Sequence, residues 1–400
     1  MTRIHPKGAP EVVIVGAGIA GLALALALAR RGGRVTVLEQ AGAIREFGAG
    51  LQITPNGWAV LAALGLAQDA ILNTTPARCV ELREGADGRL VSRLDLSRLQ
   101  PDRGWHFVHR GDLVTALADA ARAAGVTLLT GRRVEAAQIG DGWPRLRLSD
   151  GEIVEAEIAI GADGVHSRLR AALNGSTPAR FTRRVAWRAL VPGVAGAPPV
   201  AEVHMGPRRH LVSYPLHGGT LRNIVAVEER PRWVAEDWSF RDDPMELRLA
   251  FRGFGARVRG WLDQIDEVWL WGLFRHPVAR HWQRAGAGGG ALAILGDAAH
   301  PTLPFLAQGA NLALEDAWVL AACLMQTDDR AAGLMRYQAA RADRATRVVA
   351  AAGRAGGLYH LPAPLRGGFH MGLRILGRVA PGYALSRHHW IHGHDVTARS

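Results

Sequence analysis

The sequence predicts an α/β protein that combines a Rossmann-like nucleotide-binding domain, a second domain built from a β-sheet, and helices at the C-terminus. Three observations lead to this prediction. An apolar strand, a glycine-rich turn and a helix open the chain between residues 12 and 31. Segments with the alternating pattern of strands dominate residues 178–285, and two long helical segments begin at residue 309. With 400 residues, 48% of them hydrophobic, the chain is long enough for two cooperating domains with full cores.

The first predicted element is a buried parallel strand, because Val12–Val15 is an uninterrupted apolar run. Three glycines in the spacing GxGxxG follow this strand: Gly16, Gly18 and Gly21. The first permits a tight turn, the second lets the backbone approach a pyrophosphate, and the third lets the next helix, Leu22–Arg31, pack close to the strand. A second strand, Arg34–Leu38, ends at Glu39, about 20 residues after the glycines, where an acid binds a ribose hydroxyl. The pattern therefore predicts a dinucleotide-binding site.

The remaining elements are predicted in order along the chain. Before residue 165 we expect helices at 58–64 and 110–124, a strand pair at 78–96, a strand at 126–129, a β-meander at 134–155 and a buried strand at 157–160. After residue 178 we expect strands at 185–191, 200–205, 210–214, 222–228, 268–274 and 291–295, and helices at 244–262, 309–325 and 331–353. The predicted domains are 1–75, 97–177 and 286–330 for nucleotide binding, 78–96 and 178–285 for the β-sheet domain, and 331–400 for a C-terminal helical segment.

Composition and charge argue against several classes of protein. The net charge is +12, but the arginines are spread along the chain without a basic run, which disfavours nucleic-acid binding. Cys79 and Cys323 give no disulfide framework and fit a reducing compartment. Residues 14–29 have the apolar character of a signal-peptide core, but the glycine spacing argues against that role. No later run reaches the ~18 apolar residues of a membrane span. We therefore expect a cytoplasmic protein.

Two further segments accompany the glycine motif: Gly161–Gly164 (GADG) in the middle of the chain and Leu295–Pro301 (LGDAAHP) near residue 300. In this order and at these distances, the three segments resemble those of the group A FAD-dependent aromatic hydroxylases, and the resemblance covers residues 10–355. It implies a fold like that of para-hydroxybenzoate hydroxylase. In that fold the Rossmann-like domain binds FAD and the β-sheet domain faces the substrate.

The resemblance also assigns residues to the cofactor. It implies FAD contacts for Gly16, Gly18, Gly21, Glu39, Gln40, Arg45, Arg110, Asp163, Asp297, Pro304, Gly309, Ala310 and Asn311. Asp297 matches the acid that binds the ribityl hydroxyls, a task that suits a carboxylate because it accepts hydrogen bonds. Asp163 matches a residue that contacts both FAD and the nicotinamide nucleotide. The segment after Pro304 matches the helix start beside the flavin ring, where the helix N-terminus stabilises negative charge. No metal ligand is implied.

His210 and Tyr214 are the candidate catalytic residues. The segment Met205–Leu216 resembles the salicylate, 3-hydroxybenzoate and 6-hydroxynicotinate monooxygenases, in some of which a histidine and a tyrosine at this spacing face the substrate ring. Residues four apart on a strand point the same way, so both side chains can share one pocket. The alternative is that His210 is only a packed strand residue. Pro304 and Phe305 stand where some relatives carry polar groups, which leaves more of the chemistry to the histidine and the tyrosine.

The resemblance implies a monooxygenase reaction. NADH or NADPH would reduce FAD, and O2 would then form a flavin C4a-hydroperoxide that hydroxylates a small phenolic or hydroxy-heteroaromatic acid. His210, with a pKa naturally near neutrality, would take the phenol proton, and Tyr214 would orient the substrate oxygen. The expected partners are therefore a small aromatic substrate, O2 and NAD(P)H, with no nucleic acid and no stable membrane insertion. A homodimer is compatible with the resemblance.

Three alternatives stay open at this point. The first is a flavin monooxygenase of a larger polyketide, quinone-type or isoprenoid substrate, and the second is a flavin-dependent reductase that needs no O2. The third is a metal-binding or membrane-binding module built on the tail histidines: His388, His389, His392 and His394. No fixed geometry is evident in the tail, so we expect a flexible His-rich segment there. The sequence does not decide between NADH and NADPH.

Overall fold

The computed structural model describes residues 11–44, 49–68, 72–98, 104–140, 142–232, 240–380 and 382–398. The strands are β1 (Glu11–Val15), β2 (Arg34–Leu38), β3 (Gly50–Ile53), β4 (Thr75–Pro76), β5 (Cys79–Glu84), β6 (Leu90–Asp95), β7 (His106–His109), β8 (Thr127–Leu129), β9 (Val134–Gln138), β10 (Arg145–Leu148), β11 (Ile153–Glu155), β12 (Ile158–Gly161), β13 (Arg180–Pro192), β14 (Val200–Gly206), β15 (Arg209–Leu216), β16 (Leu221–Glu229), β17 (Arg241–Asp242), β18 (Val268–Arg275), β19 (Gln283–Ala285) and β20 (Ala291–Ile294). The helices are α1 (Ile19–Ala29), α2 (Pro55–Ala63), α3 (Arg110–Ala123), α4 (Arg168–Asn174), α5 (Pro244–Ala250), α6 (Ala256–Leu262), α7 (Gly309–Met325), α8 (Arg330–Leu358), α9 (Leu365–Val379), α10 (Tyr383–Arg387) and α11 (His389–His392).

A mostly parallel sheet surrounds the glycine motif. Its strand order is β19-β20-β12-β1-β2-β8, and only the edge pair β19–β20 runs antiparallel. Helix α1 is apolar on every side, which is typical of a helix inside a protein, and it packs between the sheet, α3 and α7. The carboxyl ends of β1, β12 and β20 therefore meet at one edge, where ligands bind in folds of this kind. No helix of the described ranges is long and apolar enough to cross a membrane.

An eight-stranded sheet forms the second layer, in the order β17-β18-β13-β16-β15-β14-β5-β6. Side chains alternate between its two faces. One face carries apolar residues such as Trp187 and Leu211, which pack against α5 and α6. The opposite face, with Arg188 and His210, turns toward the first sheet and the C-terminal helices. Two small antiparallel sheets, β11-β10-β9 and β3-β7-β4, complete the described strands. The predicted fold class, an α/β Rossmann-like domain with a β-sheet domain and C-terminal helices, is confirmed.

Several predictions differ from the structure, among them the strand expected at 185–191, which is the longer β13 (Arg180–Pro192). Residues 283–285, assigned to the second domain from sequence, form edge strand β19 of the first sheet. The single helix expected at 244–262 is two helices, because Phe251 and Phe254 turn into the core between them and Gly255 is the N-cap of the second helix. Helix α8 runs to Leu358 and not to residue 353, since its glycine-containing end packs on the 3₁₀ turn at 304–306.

The segment after residue 358 is folded, which corrects the expectation of a flexible His-rich tail. Its helices α9, α10 and α11 lie against the sheet domain and against α2. Ile391 is fully buried, and the ring of His392 packs on Trp105 with a centroid distance of 4.8 Å. His392 Nδ1 also lies 3.3 Å from Nε2 of buried Gln308. Apolar packing and this polar contact hold the end of the chain, and neither is visible in the tail's composition.

Candidate active site

The three glycines of the first motif play three different structural roles. Gly16 has a φ of +105°, and a Cβ there would lie 2.5 Å from the carbonyl oxygen of Ala162. A Cβ on Gly21 would lie 2.0 Å from the carbonyl oxygen of Gly16, so both positions are closed by packing. By contrast, a Cβ on Gly18 would meet no atom within 4 Å. Gly18 is also the N-cap of α1 and has no side-chain cap, so the open space faces unpaired N–H groups at the helix start.

Glu39 lies against the same turn. Its carboxylate accepts hydrogen bonds from the backbone N–H groups of Ala17 and Ala41, each at 2.8 Å. These bonds fix the acid beside the glycine turn, while a carboxylate retains lone pairs for a sugar hydroxyl. Gln40, the next predicted cofactor residue, is exposed. Arg45 lies outside the described residues, so its predicted role stays a prediction.

A cavity of about 810 Å³ lies between the edge of the first sheet, the eight-stranded sheet and the C-terminal helices. At one end it is lined by predicted cofactor residues: Gly18, Arg110, Asp297, Pro304, Gly309 and Ala310. At the other end it is lined by the sheet face and by residues packed on it: Arg188, His210, Tyr214, Trp271, Phe305 and Tyr359. One continuous cavity therefore joins these six predicted cofactor residues to both predicted catalytic residues.

Arg110 and Asp297 place opposite charges at the cofactor end of the cavity. Arg110 begins α3, and its backbone N–H donates to the carbonyl of Ala49 at 2.9 Å. Burial lowers the pKa of Arg110, and the charge of Asp297 opposes that effect. Asp297 lies in the 3₁₀ turn directly after β20. Asp163 lies after β12, and its Oδ2 accepts the N–H of Arg168 at 2.7 Å. Burial raises the pKa of Asp163 despite such hydrogen bonds.

Asn311 is the one predicted cofactor residue on α7 whose side chain is committed elsewhere. Its Oδ1 accepts the N–H of Thr54 at 2.9 Å, and its Nδ2 donates to the carbonyl oxygens of Gln52 at 3.0 Å and Ala307 at 2.6 Å. The side chain is fully buried and does not line the cavity. Asn311 therefore holds β3 and the 304–308 turn against the start of α7. Gly309 and Ala310, which do line the cavity, present the helix N-terminus to it.

These residues fit the FAD that the resemblance implies. The open space at Gly18 and the helix start beyond it suit an anionic pyrophosphate. Arg110 adds a cation, while Asp297 and Glu39 supply acceptors for sugar and ribityl hydroxyls. The N-terminus of α7 opens onto the same cavity. The donor and acceptor set is therefore that of a dinucleotide site.

His210 and Tyr214 share one face of β15, as predicted, and both line the cavity. His210 is 2% exposed and its ring lies 5.7 Å from Phe305 and 5.1 Å from Tyr359 between centroids. Burial holds the pKa of His210 well below its usual value, and the pKa of Tyr214 is raised by burial. The Tyr214 ring stacks on Phe107 at 4.9 Å. The structure therefore brings together two neutral hydrogen-bonding groups in a largely apolar wall.

Arg188 was not identified from the sequence. It lies on β13, and its guanidinium carbon is 4.8 Å from the centre of the Trp271 ring, inside the cavity. Burial and the nearby charge of Arg110 lower its pKa to about 10, so it remains a cation at neutral pH. The sequence shows only an arginine within the apolar run Val185–Val191. That this arginine lies on the same face of the sheet as His210 becomes clear only from the pairing of the strands.

His360 and Glu229 are two further residues beside His210 that no sequence motif indicates. His360, two residues after α8, places Nε2 at 2.7 Å from Nδ1 of His210, and its own Nδ1 lies 2.9 Å from Oε1 of Glu229. Arg184 and Arg208 lie 3.4 and 3.5 Å from the Glu229 carboxylate. Burial lowers the pKa of His360 to about 4, against the opposing effect of Glu229. Burial alone raises the pKa of Glu229, but the hydrogen bond from His360 and the charge of Arg184 lower it overall.

The tail histidines do not form a metal-like group. Among the described residues, the one group of three potential ligands within 4.8 Å of each other is His109, Asp112 and His217. Nε2 of His217 lies 2.7 Å from Oδ2 of Asp112, a hydrogen bond that joins α3 to the connection between β15 and β16. We therefore interpret His109, Asp112 and His217 as a structural contact between the two domains and not as a metal site.

Comparisons with known proteins found a matching family profile, curated relatives and solved structures. A family profile described as "FAD binding domain" matches residues 9–352. A 3-amino-4-hydroxybenzoate 2-monooxygenase from Streptomyces platensis is 36% identical over 90% of this chain and 91% of its own length. A 3-hydroxybenzoate 6-hydroxylase from Polaromonas naphthalenivorans is 33% identical over 89% of each chain. The structure of Klebsiella pneumoniae HpxO complexed with FAD and uric acid matches with a TM-score of 0.81 and 27% identity, over 95% of this chain and 97% of that one.

Proposed function

This chain belongs to the FAD-dependent aromatic hydroxylase family, and we propose that it uses NADH or NADPH and O2 to add one hydroxyl group to a small phenolic or hydroxy-heteroaromatic acid. The observation that carries the proposal is the shared cavity. It combines a cation, Arg188, with His210 and Tyr214, next to the predicted FAD residues. Two relatives named for hydroxybenzoates support the same substrate class, since their substrates carry both a carboxylate and a phenol.

The cofactor would be held by the glycine turn, Arg110, Asp297 and the start of α7. When bound, FAD would supply the redox chemistry that couples oxidation of NAD(P)H to activation of O2, as the resemblance implies. The overall reaction consumes NAD(P)H, a proton and O2, and it yields the hydroxylated acid, NAD(P)⁺ and water. The protein's task is to bind the acid, orient its ring and manage its proton.

Arg188 is the proposed anchor for the substrate carboxylate. A guanidinium makes two parallel hydrogen bonds to a carboxylate, which fixes orientation as well as charge. Its position above Trp271 holds the guanidinium plane within the cavity. The proposal explains why an arginine lies on the cavity face of a sheet that is otherwise lined there by residues such as Val225 and Val227.

Replacing Arg188 with methionine is expected to raise KM for the aromatic acid about 30-fold. Loss of a charge-assisted hydrogen bond costs about 2 kcal/mol, and each 1.4 kcal/mol is tenfold in binding. The measurement is steady-state kinetics with the acid and with the corresponding primary amide, which lacks the negative charge. Arg188→Lys, which keeps the positive charge but cannot make two parallel hydrogen bonds to a carboxylate, serves as the control. An equal loss for acid and amide would contradict the anchoring role.

His210 is the proposed general base and Tyr214 the group that orients the substrate oxygen. An electron-rich ring reacts better with electrophilic oxygen, so a phenolate is preferred over a phenol. A neutral imidazole at the cavity wall is able to take the phenol proton. The apolar neighbours, among them Phe305 and Trp271, keep water from the reaction.

Replacing His210 with alanine is expected to lower product formation about 100-fold at neutral pH without loss of FAD, and to divert NAD(P)H oxidation to H2O2. The deficit should shrink as the pH rises toward the phenol pKa of ~10, where the substrate ionises unaided. Product and H2O2 are measured together across pH, with FAD content from the visible spectrum. Unchanged product formation, or loss of bound FAD, would refute this assignment.

Aerobic oxidation of NADH and NADPH by the FAD-loaded protein tests the function as a whole. The panel contains hydroxybenzoates, including 3-amino-4-hydroxybenzoate, together with hydroxynicotinates and larger phenols, and products are identified by mass spectrometry. An acid that accelerates oxidation and gains one oxygen atom supports the proposal. Turnover under anaerobic conditions would contradict it and support the flavin-dependent reductase.

A larger substrate is a second candidate, because the cavity continues beneath α9. That part is lined mostly by apolar side chains of the sheet and helix, among them Val80, Leu82, Leu94, Leu373 and Leu376, with Ser92 as a polar exception. It would accept the apolar portion of a polyketide or quinone-type phenol. Acceleration by the larger phenols of the panel, and not by the hydroxybenzoates, would favour this candidate.

Two further assignments are part of the proposal. A cytoplasmic location is supported by Cys79 and Cys323, which are free thiols. A homodimer is supported by an exposed apolar stripe on α9 formed by Met371, Ile375 and Val379, at four-residue spacing. Light scattering of the holoenzyme determines the oligomeric state, and a monomer at micromolar concentration would contradict the dimer.

A further inference from the structure

We infer that His210, His360 and Glu229 form a proton relay that carries the substrate's phenolic proton from the cavity to the protein surface. The inference rests on the proposed function for the identity of the proton, but the relay itself follows from hydrogen bonds within this chain. Neither His360 nor Glu229 was assigned a role by the sequence motifs. His360 also lies beyond residue 352, where the match to the family profile ends.

The hydrogen bonds fix the tautomer of each imidazole. A carboxylate only accepts hydrogen bonds, so Nδ1 of His360 carries the hydrogen that is donated to Glu229 at 2.9 Å. A neutral His360 therefore has its lone pair on Nε2. That nitrogen must accept from Nδ1 of His210, which lies 2.7 Å away. The lone pair of His210 is then on Nε2, the nitrogen left for a phenol in the cavity.

The protonation states of the three residues suit a relay, with both imidazoles neutral and the carboxylate ionised. Burial lowers the pKa of His210 well below its usual value and the pKa of His360 to about 4, so both rings are neutral at neutral pH. Arg184 and Arg208 keep Glu229 ionised. Arg209 also faces His360, but its charge is paired with Glu228 at 3.2 Å. Tyr359, the remaining titratable neighbour of His210, stays neutral because burial raises its pKa.

The relay runs from the interior to solvent. His210 is 2% exposed and the His360 side chain is also 2% exposed, whereas the Glu229 side chain is 29% exposed. The phenol proton binds Nε2 of His210, and the hydrogen on its Nδ1 moves to Nε2 of His360. The hydrogen on Nδ1 of His360 then moves to Glu229, which releases it to water. One proton enters and one leaves, so no extra charge is left in the buried pair. Both rings then carry hydrogen on Nε2, and the reverse shift, which returns a proton to the product oxygen, restores the starting tautomers.

The C-terminal segment is positioned for this role by its backbone. The N–H of Arg208 donates to the carbonyl of His360 at 3.2 Å, and the N–H of Glu229 donates to the carbonyl of Arg208 at 2.9 Å. These bonds connect the end of α8 to the β15–β16 pair. The segment therefore completes the proposed base, and His360 acts on the substrate only through His210, as a positioning and relay residue.

The tautomers give a test that is independent of turnover. Nitrogen-15 NMR of the histidine-labelled holoenzyme at pH 7, assigned with His210→Gln and His360→Gln, is expected to show both rings neutral with hydrogen on Nδ1. Glu229→Gln is expected to change the tautomer ratio of both rings. A hydrogen on Nε2 of His210, or a charged ring at pH 7, would overturn the relay even if the panel had already identified a substrate.

Kinetics test whether the relay carries the proton. His360→Phe is expected to lower kcat for hydroxylation about 100-fold at neutral pH, with KM and the rate of flavin reduction by NAD(P)H nearly unchanged. The deficit should disappear at alkaline pH. Glu229→Gln, which preserves size, is the second variant. A deficit that is equal at every pH would indicate a structural role and overturn the relay, as would wild-type rates.

A second buried His–Glu pair in the same chain provides the matched control. Nδ1 of His370 on α9 lies 2.8 Å from Oε1 of Glu84, and His370 is 1% exposed, but it does not line the cavity. His370→Phe removes an equivalent buried contact from the same C-terminal segment and is expected to leave the pH profile unchanged. An identical loss in His370→Phe would show that the His360 effect is one of folding. If the wild type hydroxylates no phenol of the panel, the proposed function fails, and the NMR result still decides the hydrogen-bond chain.

Discussion

Replacing Gly18 with valine is expected to abolish FAD binding while the fold stays intact. A Cβ at this position meets no protein atom within 4 Å, and the backbone has a φ of −79°, which any residue adopts. The cost to the apoprotein is therefore that of a poorer N-cap, about 1 kcal/mol. The added methyl groups instead occupy the space at the start of α1 that suits a pyrophosphate. We expect FAD affinity to fall at least 100-fold (~2.7 kcal/mol), and hydroxylation to be lost with it.

Gly21→Ala is the matched control for this prediction. Its Cβ would lie 2.0 Å from the carbonyl oxygen of Gly16, so a single methyl group forces α1 away from β1. We expect this variant to lose thermal stability even as apoprotein, whereas Gly18→Val melts within a few degrees of wild-type apoprotein. FAD affinity is measured by fluorescence titration and stability by circular dichroism. Retention of stoichiometric FAD by Gly18→Val would place the cofactor elsewhere.

The cofactor half of the site was predictable because its signals are local. A strand, a glycine turn and a helix are neighbours in sequence, and each glycine has a steric reason to be there. The same holds for the strands, whose alternating patterns gave bounds within about two residues of most of the observed ones. The helix predicted at 244–262 failed because its break depends on Phe251 and Phe254 finding the core of the sheet. That information lies in tertiary packing and not in periodicity.

The substrate half could be predicted only in part. His210 and Tyr214 share one strand, so their common orientation follows from a period of two. Arg188 lies on another strand and joins them only through the β13–β16–β15 register. His360 is 150 residues from His210 in sequence, and nothing around it marks it as a partner. The tail was expected to be flexible from its composition, yet it supplies this contact and lines part of the cavity.

Asn311 shows a different case, in which the side chain of a predicted cofactor residue serves the fold. The resemblance placed the start of α7 beside the flavin, and Gly309 and Ala310 do line the cavity. The Asn311 amide, however, is consumed by three backbone hydrogen bonds that hold β3 and the 304–308 turn. A motif identifies a piece of backbone, whereas the use of each side chain depends on which groups the fold leaves unsatisfied nearby.

Replacing Arg341 with methionine is expected to lower the free energy of unfolding by about 3–5 kcal/mol at neutral pH, since breaking a buried pair leaves uncompensated charge. Arg341 is 1% exposed and pairs with Glu315 at 2.6 Å and with Asp316 at 2.7 Å. Burial alone raises the pKa of each carboxyl group, but their partners lower both overall. The partners of Glu315 are Arg341 and Arg344, and the partners of Asp316 are His300 and Arg341.

The pH dependence of that loss distinguishes charge pairing from packing. A carboxyl group whose pKa is lowered by folding adds stability above its unfolded pKa of ~4, and this stability is lost as the pH falls through the folded pKa. The difference in the free energy of unfolding between wild type and Arg341→Met should therefore reach its maximum above about pH 5 and shrink below pH 4. Arg347→Met, an exposed arginine on the same helix, is expected to cost less than about 1 kcal/mol. Urea unfolding at several pH values measures both variants. A loss that is independent of pH would mean that Arg341 stabilises the protein only through the packing of its aliphatic stem.

Arg341→Met should also weaken FAD binding, because Asp316 accepts the N–H of Gly296 at 3.1 Å and so holds the turn that carries Asp297.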